Sequence, residues 1–334
     1  DMARALKQVG GEGSTFHWEF TYGTDRAKEL ADEMGCPLLA GNVLDNEFDE
    51  PAFEAFKMYE RGGVKIDVLL SGHTHDAVPA VVKVGKTLMV ASGSHGKFLS
   101  RLDLDVQGGE VKGYAFRLIP VFSDAIKPDA EMSALIDDIR KPHEAMLSTV
   151  VAKTEGMLYR RGNFNGTWDD LICQALMQER DAEIGLSPGF RWGSTLLPGQ
   201  NVTMDDVYNQ TAITYPNAYR MSMTGETLKT ILEDVADNLF NPDPYYQQGG
   251  DMVRVGGLAY AIDPKAAMGQ RISAMTILRT GKPVEAAASY TVSGWASVNE
   301  GTQGPPVWEA LTAYLKAKQT INMPENRNVK VAGM

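Results

Sequence analysis

Residues 64–70 form an apolar run of strand length that passes directly into Ser71-Gly72-His73-Thr74-His75-Asp76. A run this short and apolar predicts a buried strand. Two histidines at i and i+2 on an extended segment point the same way. They can reach one metal ion, or two adjacent ions, in a cleft outside the strand end. Gly72 lets the backbone approach such ions closely. The same residues also suit a surface turn carrying two solvated imidazoles, and spacing alone leaves both readings open.

The surrounding pattern alternates short apolar runs with amphipathic ones, which predicts an α/β protein in two domains. Residues 24–34 read as a helix with Thr24 as N-cap, Gly35 after the last turn and Pro37 blocking continuation. Residues 37–43 read as a buried strand, and 78–121 as successive hairpin strands punctuated by Gly85, Gly93, Gly96 and Gly108-Gly109. Residues 124–155 are polar, with Met132, Leu135, Ile136 and Ile139 near helical spacing, and read as a helical linker. The expected domains are therefore 1–123 and 156–334. In the second, 168–179, 205–207, 225–239 and a stretch from Pro306 to Lys318 read as helical, and 208–223 as β-rich.

A length of 334 residues supports about two domains and a large core without disulfide staples. The net charge of −11 argues against nucleic acid as a partner, because phosphate binding needs a basic footprint. It argues equally against docking on an anionic membrane, and no apolar run is long enough for membrane insertion. A monomer is expected. The chain opens Asp1-Met2-Ala3-Arg4 with no visible signal peptide, as a mature or truncated chain also would. Cys36 and Cys173 make no disulfide framework.

Other polar groups stand in suggestive settings. His17 lies in Phe16-His17-Trp18-Glu19-Phe20, where a packed core histidine and a ligand are both possible. His95, in Ser92-Gly93-Ser94-His95-Gly96, fits a plain hairpin turn better than a supporting role beside a metal. Arg191 and Arg254 are flanked by glycines, which lets backbone and guanidinium face an anion together. Pairing with a carboxylate such as Asp251 explains them equally well. Trp295 and Asn299-Glu300-Gly301-Thr302 follow an expected strand at 290–293 and either line a pocket or turn the chain. The glycine pairs at 249–250 and 256–257 match neither a dinucleotide fingerprint nor a Walker A loop.

At these residues the sequence resembles a known superfamily. Gly72-His73-Thr74-His75 looks like the last metal motif of the calcineurin-like metallophosphoesterases, and residues 160–191 and 203–232 look like the carboxy-terminal domain of the 5′-nucleotidases. Within that superfamily the chain is most similar to the SoxB thiosulfohydrolases. The matching motifs are His17-Trp18-Glu19-Phe20-Thr21-Tyr22-Gly23, Arg161-Gly162-Asn163-Phe164-Asn165-Gly166-Thr167-Trp168, Gly250-Asp251-Met252-Val253-Arg254-Val255-Gly256-Gly257 and Gly294-Trp295-Ala296-Ser297-Val298-Asn299-Glu300-Gly301. The resemblance implies a truncated metallophosphoesterase-type α/β sandwich followed by a 5′-nucleotidase C-terminal-type α/β domain. It implies a dinuclear manganese site with His17, His73 and His75 as ligands, and Trp18 in place of a nucleotidase's catalytic histidine. Substrate binding falls to Arg191, Arg254 and Asn299, with Arg254 in a loop facing the cleft. The implied reaction is release of sulfate, by metal-activated water, from a cysteine S-thiosulfonate on a SoxY-type carrier (SoxYZ) in the periplasm. The alternatives are a 5′-nucleotidase-type phosphoesterase and an inactive carrier-binding remnant.

The family's early Asp-x-His and Gly-Asp motifs are absent, and Ile66 joins Asp67 where the family carries a long segment with a further ligand histidine. A shortened amino-terminal domain with exposed sheet surface is the expectation.

Overall fold

The computed structural model describes residues 2–10, 14, 22–38, 66–72, 74–160, 162–243, 246–247, 250–297 and 302–333. The chain divides into two compact units, Asp1–Glu144 and Ala145–Met334.

In the first unit, helices α1 (Met2–Val9), α2 (Thr24–Met34) and α3 (Ala130–Arg140) pack so that α1 meets both others. Gly23, not Thr24, occupies the N-cap of α2 with no side-chain cap bond, and Gly35 closes the helix in the left-handed conformation at φ 72°. Strand β1 (Val68–Ser71) runs parallel to β3 (Thr87–Ala91), which pairs antiparallel with β2 (Val82–Val84). Strands β4 (Phe98–Gln107) and β5 (Glu110–Pro120) form a long hairpin. Its turn needs two successive positive φ values, which Gly108 and Gly109 supply. The expected hairpin strands between 78 and 121 are thus present. Of the expected strand at 37–43, Leu38 bridges Ser14 in parallel and 39–43 lie outside the described residues.

The run at 64–70 departs from expectation: Leu70 is 77% exposed and Ile66 64%. Among the described residues, β3 is the element that packs along β1, and nothing comparable covers its face. This matches the exposed sheet surface expected where Ile66 joins Asp67.

In the second unit, helix α4 (Glu144–Leu147) at the boundary leads to β6 (Val150–Thr154). The chain continues through α5 (Thr167–Glu179), β7 (Ile184–Gly189), β8 (Asn201–Thr203), α6 (Met204–Thr211), β9 (Tyr219–Thr224), α7 (Gly225–Phe240), β10 (Asp251–Gly256), β11 (Leu258–Ile262), β12 (Ile272–Ile277), β13 (Lys282–Pro283), β14 (Ser289–Gly294), α8 (Val307–Lys318), β15 (Thr320–Ile321) and β16 (Val329–Val331). Three sheets result, in the orders β10-β7-β14-β9, β13-β12-β11-β16 and β15-β6-β8. Strands β7 and β14 are parallel, with antiparallel neighbours outside them.

Helix α5 buries Trp168, Leu171, Ile172, Ala175 and Leu176, the i, i+3, i+4, i+7, i+8 stripe of an amphipathic helix. That stripe joins Val307, Leu311 and Leu315 of α8 in one core cluster. A second cluster sets Leu228, Leu232 and Ala236 of α7 against Ile184, Met252, Val255, Tyr260 and Val292 of the sheets. Segment 208–223 is not β-rich throughout. Thr203 and Asp206 close a reciprocal capping box that carries the helix on to Thr211, and strand begins only at Tyr219. Segment 124–155 does not form a uniform helical linker either. Its α3 packs on α1, while its last residues form β6, between β15 and β8.

Candidate functional site

The two histidine loops of the first unit leave the same edge of one sheet. Strands β1 and β3 are parallel, so the loops after Ser71 and Ala91 emerge together. A bridge between Ala77 and Ser92 and a hydrogen bond from Gly93 N–H to the Asp76 carbonyl hold them side by side. His75 and His95 both adopt left-handed backbone, at φ 58° and 57°. The basicity of His95 is lowered by burial, then by Lys97 and by His75. His95 thus belongs with His75, which its small-residue turn did not reveal. His73, His17, Trp18 and Asn299 lie outside the described residues. Among the described residues no three His, Cys, Asp or Glu side chains are grouped as a metal site. His75 is the single described member of the expected ligand set.

The second unit brings Arg191 and Arg254 together through one carboxylate. Asp251 Oδ1 accepts from Arg191 Nε at 3.2 Å, and Oδ2 from Arg254 Nη2 at 3.3 Å. Local backbone dictates this meeting. Residues i and i+3 on a regular strand face opposite sides. The β10–β7 register shifts between Asp251 and Arg254, and the bulge returns both side chains to one side. Gly189 pairs with Asp251, and a Cβ there would stand 2.3 Å from the Asp251 carbonyl oxygen. Glycine at 189 therefore permits the approach that carries Arg191 to Asp251 and to the Gly250 carbonyl.

Arg254 stands on a strand rather than in a loop, with a side chain 1% exposed. It faces Asp169 Oδ2 at 3.5 Å and donates to the Gly162 carbonyl. Asp169, fully buried in the first turn of α5, also receives Arg160 Nη2 at 2.9 Å and the Ser187 hydroxyl at 3.1 Å. The Trp295 indole N–H donates to Ser187 Oγ at 3.0 Å. The Arg160 guanidinium lies 5.4–5.7 Å from the ring centres of Phe190, Trp192 and Trp295. Charges this deep are tolerable only when paired, and among the described residues three guanidinium groups share two carboxylates. Arg191 alone of the three keeps partial exposure, 19% of its side chain. The arrangement can present one pre-aimed guanidinium to an anion while the buried pairs hold its support rigid. Sequence reasoning missed Arg160 and Asp169.

Residues 150–312 match the 5′-nucleotidase, C-terminal domain family. No curated protein sequence matches the chain. Among solved structures, the sulfate thiohydrolase SoxB of Thermus thermophilus, determined with glycerol, superposes with a TM-score of 0.88 at 29% identity, covering 99% of this chain and 75% of its own. A 5′-nucleotidase precursor of Thermus thermophilus shares the fold at 18% identity and a TM-score of 0.67, covering 80% of this chain and 60% of its own. The resemblance read from the motifs, and the α/β architecture it implies, are borne out by these matches.

Proposed function

We propose, taking residues 150–312 as a 5′-nucleotidase C-terminal domain, that the chain is a SoxB-type thiosulfohydrolase. Its substrate in this reading is a cysteine S-thiosulfonate on a SoxY-type carrier, its product is sulfate, and its setting is the periplasm. The observation that carries the reading is the likeness to SoxB over 99% of the chain. No helix among the described residues is long and apolar enough to cross a membrane. Manganese enters the reading through the family, with His17, His73 and His75 as its proposed ligands. Trp18 and Asn299 are proposed at the reacting end on the same basis.

Arg191 has a role that its geometry supports. A sulfonate is anionic, and the chain's net charge of −11 repels it at long range. A planar guanidinium held by Asp251 and the Gly250 carbonyl offers a local counter-charge without reorganising on binding. Arg254 is buried and acts through Asp251 rather than by contact.

Two measurements on the full chain test the reading: metal content after incubation with manganese and desalting, and sulfate release from a thiosulfonate-bearing carrier peptide. About two ions per chain with sulfate release is the expected result. Peptide binding without release would make the chain a carrier-binding remnant, and neither binding nor release would end the SoxB-type reading. Arg191→Ala should weaken peptide binding about ten- to hundredfold, the cost of losing a charge-assisted contact.

A further inference from the structure

A cavity of about 430 Å³ opens in the second unit between the exposed flank of α5, the end of β10 and residues 323–328. Its size falls in the range of small-molecule sites. Asp170, Gln174 and Met177 line one wall, one helical turn apart. Gly256 and Gly257 form part of the floor. A Cβ at Gly256 would meet Met177 Sδ at 2.8 Å, and one at Gly257 the Glu183 carbonyl oxygen at 2.2 Å, so these glycines let the strand end lie flat against the helix. Val255, Leu278 and Met323 add apolar surface, and Glu325, Asn326 and Asn328 add polar groups.

Asp170 is the group that asks for a ligand. The residue is 7% exposed. Its Oδ1 accepts from Asn326 Nδ2 at 2.9 Å in the cavity wall, while its Oδ2 has no hydrogen-bond partner among the described residues. A buried carboxylate left half-satisfied is costly. The charged groups around it are Asp169 and Arg254 beneath, and Glu325 and Arg327 at the rim. Arg327 does not neutralise it: that side chain is 88% exposed and, among the described residues, pairs with Glu325 at 3.8 Å.

We propose that this cavity binds a small organic cation, an ammonium or guanidinium group on an aliphatic stem. The charged end would face Asp170, and the stem would lie along Met177, Val255, Leu278 and Met323. The carboxyl of Asp170 is pushed up to about 6, chiefly by burial, and Asp169 adds to the rise, while Asn326 and Arg254 pull it down. A bound cation would supply the missing counter-charge, so affinity should fall as pH drops through about 6.

Calorimetric titration of the full chain with agmatine tests this, with n-butanol as the uncharged control. Agmatine should bind above pH 7, and about tenfold or more weakly below pH 5. Asp170→Asn should reduce binding at least about tenfold, the effect of removing one charge-assisted contact. Leu278→Trp, which fills the cavity mouth and leaves both carboxylates in place, should abolish binding and decides the matter if Asp170→Asn fails to fold. A blocked arginyl peptide separates the sources: tighter binding than agmatine assigns the site to an arginine side chain, weaker binding to a free small cation. No heat with either cation, equal binding of n-butanol, or unchanged binding by folded Asp170→Asn would overturn the proposal.

Discussion

The two units solve the problem of burial differently. In the second, aromatic, aliphatic and charged side chains vanish together: Trp168, Leu171 and Arg254 are all essentially inaccessible. In the first, the described buried apolar residues are Ala3, Ala27, Met34, Leu38, Leu88, Val90 and Ala91, none of them aromatic, while Leu69 and Leu70 of β1 are exposed. The difference teaches that apolar strand sequence is not itself burial. A strand is buried only when another layer covers its face, and among the described residues β1 has the sequence without the cover. The second unit, with covered sheets, can also afford charges in its interior.

The sharpest way to break this contrast is to attack the interior charges. Asp169→Ala strands Arg160 and Arg254 in a dry interior. It should destabilise the second unit by about 3–5 kcal/mol, read from denaturant unfolding. If it costs no more than a surface change, the network is wetter than its burial suggests. A matched pair of leucines comes next. Leu171→Ala should cost about 2–5 kcal/mol, and Leu70→Ala no more than about 0.5 kcal/mol. Equal losses would mean that β1 is covered after all.

The smallest effect has the opposite sign. Asp170 holds its proton to about pH 6 in the folded chain, against an ordinary value of 3.8. The folded state therefore binds the proton more tightly, and stability falls as pH rises between those values. Asp170→Asn should stabilise the chain by up to about 3 kcal/mol at pH 8 and by less than about 1 kcal/mol at pH 4. Thermal unfolding at the two pH values checks this, and a gain at both would trace the effect to packing instead.

Much of the fold was legible because local signals agreed. The stripe from Trp168 to Leu176 and the proline before α8 each mark a helix from neighbouring residues. Segment 208–211 misled because β-favouring Tyr208 sits in a helix already committed by the Thr203–Asp206 capping box. The site was harder to read. Arg160 meets the Gln210 carbonyl 50 residues away, and no local pattern announces such a pair. One signal was available: Asp169-Asp170 stands between Trp168 and Leu171, inside the first turn of a helix whose neighbouring residues are apolar. Two carboxylates there demand buried partners. The Arg254–Asp251 pair was readable only as one of two alternatives, because sequence does not show a bulge.

That bulge makes strand β10 sensitive to counting. Met252 and Val253 can change identity within limits of volume and still leave the ends of the segment in place. Deleting either would restore the simple two-residue alternation between Asp251 and its arginine, and would also shift every later strand position by one. The frame of the segment is held more tightly than its spelling. A survey of single-residue insertions and deletions across the second unit should therefore find its least tolerant strand position between Asp251 and Arg254.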